Sequence, residues 1–167
     1  PHFDRNVENT SGFHVTVEDA ERCPRMTGTQ IENVCVKPAP YWMQVRIWKT
    51  GMRPINALVD ITNYVMLATG QPSHAYDSDH IAGHIIVRRA KAGETLTLLN
   101  GKELPLSTDD LTIADDADIV GLAGVMGGAK DSILPTTSKV ILEIANFQAA
   151  GIRRTALRYD NRTEASA

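Results

Sequence analysis

Apolar and polar positions change their period part-way along the chain, and that change divides it into a helical stretch and a strand-rich one. His14-Val15-Thr16-Val17 alternates as a half-buried strand does, and Ile31 to Val36 predicts another strand. Pro38 and Pro40 then precede a run in which Tyr41, Trp42, Val45, Ile47 and Trp48 recur at helical spacing, closed by Gly51. A second helix opens at Pro54, carries Ile55, Leu58, Val59, Val65 and Met66 on its apolar side, and stops at Gly70-Gln71-Pro72. From His84 onward strands follow at Ile85 to Arg89 and Thr95 to Leu99. Asn100-Gly101 then predicts a tight type I′ hairpin, whose two central residues need positive φ. Leu104 to Leu106 returns along it, with Pro105 suited to an edge. Leu111 to Ala114, Asp118 to Leu122 and Val140 to Phe147 complete the strands, Gly121 to Gly128 reads as a glycine-rich bend, and Gln148 to Tyr159 forms the last helix. The sum is a mixed α/β (α+β) chain.

Length and composition narrow the class. With 167 residues, 43% of them apolar, the chain can bury one sizeable core. We therefore expect residues 1–12 to be linker or cut end and 13–167 to form one domain. No apolar run is long enough to span a bilayer, and PHFDRN has neither the basic flank nor the apolar stretch of a signal peptide. Cys23 and Cys35 match no zinc spacing and make a poor disulfide framework. Free thiols in a reducing cytoplasm are the expectation. The net charge of −3 argues against a protein that follows a duplex along many phosphates. Any nucleic-acid contact should be confined to a single-stranded end.

Glu143 is the most informative residue. It stands in the middle of an apolar strand, where a carboxylate is costly unless paired or hydrogen-bonded. The alternative is a strand-edge glutamate meeting an arginine or water. The segment GLAGVMGG offers backbone N–H groups and close ligand approach, but it has neither the dinucleotide nor the phosphate-loop spacing, and a plain turn would explain it equally well. His74, after a helix stop, reads as a loop histidine open either to catalysis or to bracing a turn. Thr62 and Asn63 are poor helix-interior residues. Arg153, Arg154 and Arg158 give the last helix a basic face, which is usually no more than solvated. No histidine or cysteine pair has metal-ligand spacing, so no metal is expected, and no nucleophile elbow is present.

Taken together, these segments resemble one family. RPINALVDITNYVMLATGQPSHAYD (Arg53 to Asp77) is similar to the long signature of bacterial phenylalanyl-tRNA synthetase β subunits, and IVRRAKAGETLTLLNGKE, LTIAD, GLAGVMGG, ILEIANF and IRRTALRYDNRTEAS follow in that family's order. The resemblance covers almost the whole chain, which would be a fragment of a much longer subunit. It implies a three-layer β-sandwich of unusual topology with flanking helices. It also implies post-transfer editing, the hydrolysis of tyrosine wrongly esterified to the phenylalanine tRNA. A non-catalytic tRNA- or amino-acid-binding module and a free-standing editing protein are the rivals.

Carried over by the same resemblance, Glu143 would accept the tyrosine para-hydroxyl, with the backbone N–H of Gly124 and neighbouring Ala123 beside it. Thr62, Asn63 and His74 would surround the ester and amino group. Thr163 and Ala165 would line the pocket mouth. His74 and Thr62 would orient water, the general base remaining open between His74 and a hydroxyl of the tRNA itself. The implied partners are the tRNA 3′ end and an α subunit in an (αβ)2 assembly. ATP and Mg2+ would belong to the whole enzyme and no cofactor to this part. The chain departs from the family's pattern in three places: Gln148-Ala149 stands for aspartate-proline at the last helix start, Tyr159-Asp160-Asn161 replaces a basic or polar residue followed by glycine and leucine, and Ala39 replaces a capping serine.

Overall fold

The computed structural model describes residues 12–130, 132–163 and 166. The expected linker at 1–12 therefore falls, except for Gly12, outside the described residues, and so does Ala165. The architecture is mixed α+β, the described residues forming three sheets and three α-helices. β1 (Val15–Val17), β4 (Ile85–Arg89), β7 (Leu111–Ala114), β8 (Ile119–Leu122) and β9 (Met126–Gly127) form a five-stranded sheet in that spatial order. Its β1–β4 pair is parallel and the rest antiparallel. The second sheet is antiparallel, with β10 (Lys139–Asn146) between β2 (Arg25–Glu32) and β3 (His74–Asp77). A two-stranded ribbon pairs β5 (Thr95–Thr97) with β6 (Glu103–Pro105).

The two larger sheets bury one apolar core between them. Ile85, Val87, Ile113 and Leu122 from the first meet Tyr76 and Ile141 from the second. β1 crosses β2 so closely that a Cβ at Gly28 would lie 2.8 Å from the Phe13 ring and 2.9 Å from Val15. Helix α3 (Ala149–Arg158) adds Ile152 and Ala156 to this core. Its start has no side-chain cap from Gln148, a residue too poor in N-cap geometry to replace an aspartate. Asp110, fully buried, holds α3 instead: it accepts from Thr155 Oγ1 at 2.9 Å and also receives the Arg158 guanidinium.

A smaller core lies between helices α1 (Tyr41–Lys49) and α2 (Ala57–Thr69), built from Ala39, Met43, Ile47 and Ala57. Asn56 caps α2 by accepting from the N–H groups of Leu58 and Val59, each at 3.1 Å. No helix among the described residues is long and apolar enough to cross a membrane.

Four expectations are corrected. The strand predicted at 31–36 lies instead at Arg25–Glu32, where Met26, Gly28 and Gln30 face inward; polar and glycine positions concealed its alternation. The apolar faces expected of the first two helices are not the covered ones: Tyr41, Trp42 and Trp48 are exposed while Met43 and Ile47 make the contact with α2, and Ile55 and Val65 are exposed while Ala57, Asp60 and Thr62 are buried. His74 stands on a strand and not in a loop. The Asn100-Gly101 hairpin has positive φ at Gly101 alone. Leu98 N–H bonds Lys102 O at 2.9 Å and Gly101 N–H bonds Leu98 O at 2.8 Å, the pattern of a longer loop closed by a left-handed glycine.

Candidate functional site

The site is built where β3 and β10 run side by side. In their antiparallel register Glu143 lies opposite His74 and Ile141 opposite Tyr76. Side chains alternate along a strand, so His74 and Tyr76 share the face on which Glu143 stands, with Tyr76 its diagonal neighbour. The Glu143 side chain turns into the core and is 7% exposed. Tyr76 donates its hydroxyl to Glu143 Oε2 at 2.6 Å. Burial pushes the Glu143 carboxyl up to about 7, the Tyr76 hydrogen bond opposing that rise.

A cavity of about 270 Å³ opens beside this pair. One wall is Glu143, Tyr76 and His74; the facing wall is the glycine-rich segment from Gly121 to Gly127, with Ile113 below and Phe147, Ile152 and Arg153 at the side. The segment is a hairpin between β8 and β9. Val125 N–H bonds Leu122 O at 3.0 Å, and Gly124 takes φ +65°, the requirement of a type II turn at its third residue. The Gly124 N–H donates to no acceptor among the described residues. Ala123 is buried behind it. Turn and ligand wall, the two readings of this segment, are therefore the same structure.

His74 packs edge-on against Tyr76, ring centroids 4.5 Å apart, and its ring reaches Gly127 on β9 of the other sheet. A Cβ on Gly127 would sit 2.6 Å from His74 Cε1 and 2.7 Å from Nε2. Only glycine leaves room for the ring. Burial lowers the imidazole to about 4, so at neutral pH it is uncharged, one nitrogen free to donate and the other to accept. Such a group orients water better than it removes a proton.

Residues 22–167 match the B3/4 domain family. The chain belongs to that family. This B3/4 domain is 45% identical over 160 residues to the phenylalanine–tRNA ligase beta subunit of Solibacter usitatus, covering 95% of this chain and 21% of that protein. It is 48% identical over 158 residues to the subunit of the same name from Lactobacillus acidophilus, covering 94% of this chain and 20% of that one. The domain thus spans about a fifth of the length of these curated relatives. Its fold is similar to a solved N-terminal fragment of the phenylalanyl-tRNA synthetase beta subunit from Pyrococcus horikoshii, with a TM-score of 0.59 over 95% of this chain and 51% of that one. At 12% identity that likeness is one of fold.

Within the B3/4 domain, the cavity brings together His74, Glu143, Gly124 and Ala123. Thr62 and Asn63 stand on α2, apart from the cavity wall; the Thr62 hydroxyl donates to Val59 O at 2.8 Å. Thr163 lies behind the wall, its hydroxyl donating to Val125 O at 2.9 Å, and its neighbour Ser166 reaches the cavity. Tyr76 and Phe147 had no signal in the sequence, and Gly127 and Arg153 stood out only as members of the glycine-rich segment and of the basic helix face. Placing His74 on a strand would have found Tyr76, because residues two apart share a face. Arg153 lines the cavity while Arg158 is paired with Asp109 and Asp110, so the basic face of α3 is divided between a ligand wall and a structural anchor.

Proposed function

We propose that this B3/4 domain is part of a phenylalanine–tRNA ligase β subunit and edits its product, hydrolysing tyrosine esterified to the phenylalanine tRNA. The observation that carries this reading is a nearly buried carboxyl group, held by the Tyr76 hydroxyl, at the wall of a cavity faced by the glycine-rich segment and by Ile113, Phe147 and Ile152. A phenylalanine-shaped synthetic pocket rejects tyrosine weakly, since the error adds only a hydroxyl. A second pocket containing a fixed acceptor inverts the preference: tyrosine satisfies Glu143, whereas phenylalanine leaves it buried without a ligand partner.

In this reading the Gly124 N–H donates to the same phenol oxygen, Ala123 packs behind it, and His74 positions water at the ester carbonyl. The family resemblance assigns Thr62 and Asn63 to the amino-group side and Thr163 and Ala165 to the entrance, where Thr163 would act through its hydrogen bond to Val125 O. Positioning supplies most of the rate. The tRNA 3′ end and a synthetase α subunit are the partners this reading brings. The acidic chain suits contact with a few nucleotides and no more.

The test is deacylation of tyrosyl-tRNA(Phe) by the full ligase with Glu143→Ala. A hydrogen bond to a charged group contributes about 1.5–3 kcal/mol, so hydrolysis should fall roughly 10- to 150-fold, with phenylalanine charging unchanged. Wild-type hydrolysis in the variant would remove Glu143 from the reaction.

A further inference from the structure

We propose that Tyr76 is a specificity-determining positioning residue, a phenol of the protein's own that holds one oxygen of Glu143 and leaves the other for a phenol brought by the ligand. This rests on the editing reading and adds to it the device that aims the acceptor. Tyr76 OH lies 2.6 Å from Oε2. Among the described residues Oε1 accepts no hydrogen bond, while Glu143 lines the cavity. The Tyr76 ring is itself fixed, fully buried at 2% exposure and braced by His74. A glutamate has three side-chain torsions, and a single anchored oxygen removes most of that freedom before the ligand arrives.

The hydroxyl also sets the charge of the acceptor. A donor to the carboxylate favours the ionised form, and an ionised acceptor makes the stronger bond to a phenol. The groups facing Glu143 are few: Tyr76 and His74 from β3, the Cys23 thiol just before β2, and Arg153 across the cavity on α3. His74 is uncharged at neutral pH and burial pushes Cys23 up to about 11, so neither replaces the phenol as a donor that pulls Glu143 toward its charged form. Arg153 is exposed at the mouth and screened by water. Discrimination between tyrosine and phenylalanine should therefore strengthen as pH rises through the Glu143 titration, and Tyr76 governs where that happens.

The experiment measures hydrolysis of tyrosyl- and phenylalanyl-tRNA(Phe) by the full ligase from pH 6 to 9, for wild type, Tyr76→Phe, Glu143→Gln and the double variant. In Tyr76→Phe the ratio of tyrosyl to phenylalanyl hydrolysis at pH 7 should fall about fivefold, and its rise should move up by about one pH unit. In the Glu143→Gln background Tyr76→Phe should change the ratio less than twofold. A wild-type ratio and pH profile in Tyr76→Phe would overturn the proposal, and so would equal effects in both backgrounds, which mark mere packing.

NMR titration of the Glu143 carboxyl carbon needs no catalysis and separates this failure from failure of the editing reading. It should move up in Tyr76→Phe even if no tRNA is deacylated, and an unmoved titration counts against Tyr76 alone. Should Tyr76→Phe not fold, 3-fluorotyrosine in place of Tyr76, a stronger donor of nearly the same shape, should move the titration down. No movement there is equally fatal.

Discussion

His74 and Glu143 face each other across β3 and β10, a base and an acid each held close to neutrality by burial. Their effects on stability oppose one another. Glu143 titrates at about 7 in the fold against an ordinary 4.5, so its contribution is complete below 4.5 and is lost as pH rises through 7. His74 titrates at about 4 against an ordinary 6.5, so its contribution is complete above 6.5 and is lost as pH falls through 4. Between 4.5 and 6.5 the two slopes largely cancel.

Substituting either residue should expose the other's slope. Glu143→Gln should lose stability steeply on acidification from pH 6.5 to 4, and His74→Leu should gain it from pH 7 to 4.5. Each change is on the order of 3 kcal/mol at most, at about 1.4 kcal/mol per unit. Urea midpoints measured across this range check it; parallel curves for wild type and Glu143→Gln would contradict the opposition.

Gly127→Ala should disable the site through His74. The new methyl group would overlap the imidazole at 2.6 Å, and the neighbouring strand cannot withdraw without breaking its pairing with Gly121. The ring must rotate or shift by about an ångström, a displacement that costs roughly 100-fold in rate when geometry carries catalysis. Stability should fall by about 1–3 kcal/mol. Tyrosyl-tRNA deacylation paired with thermal unfolding distinguishes the outcomes: an unaltered rate means that His74 does not need its observed place.

The two thiols should react unequally. Cys23 is 1% exposed and burial pushes it up to about 11, while Cys35 is exposed. Thiolate is the reactive form. Iodoacetamide at pH 8 should label Cys35 at least tenfold faster in the native protein, and equal labelling, read by peptide mass, would mean that the Cys23 region opens readily.

How far the residues alone revealed the molecule depended on whether local pattern or distant packing decided each element. Helix α2 was readable in place and at its ends because Asn56 and Gly70 speak locally, though its apolar spacing did not mark the side that is covered, and β10 was readable because a run such as Val140-Ile141-Leu142 has few other fates. Strand β2 is not legible locally because its burial comes from Phe13 and Val15 packing over Gly28, which no window of sequence contains. Among the site residues, Glu143 announced itself by being costly where it stands. Tyr76 did not, since a tyrosine in a strand is ordinary until its register partner is known. The exposed aromatic residues of α1 misled for the converse reason: helical spacing alone cannot say which of two apolar sides will be covered.

Asp110 should prove the most damaging surface-remote position for the cavity. It is completely buried and accepts from Ser107 N–H at 2.9 Å, Tyr159 OH at 2.5 Å and Thr155 Oγ1 at 2.9 Å, besides pairing with Arg158. Three of these partners lie on α3 or its last turn, and α3 carries Ile152 and Arg153 to the cavity wall. Because Gln148 supplies no side-chain cap, nothing at the helix start compensates. Asp110→Ala leaves a cation and three donors facing an empty site, a loss of about 3–5 kcal/mol by the usual cost of breaking a buried pair. For a domain of this size that is a fall of roughly 10 °C in Tm, with ligand discrimination weakened as Ile152 and Arg153 drift. Asp110→Asn, which keeps the shape and one acceptor, should recover about half of the loss. A Tm within 2–4 °C of wild type in Asp110→Ala, about what 1 kcal/mol would cause, would mean that α3 is held by its apolar face alone.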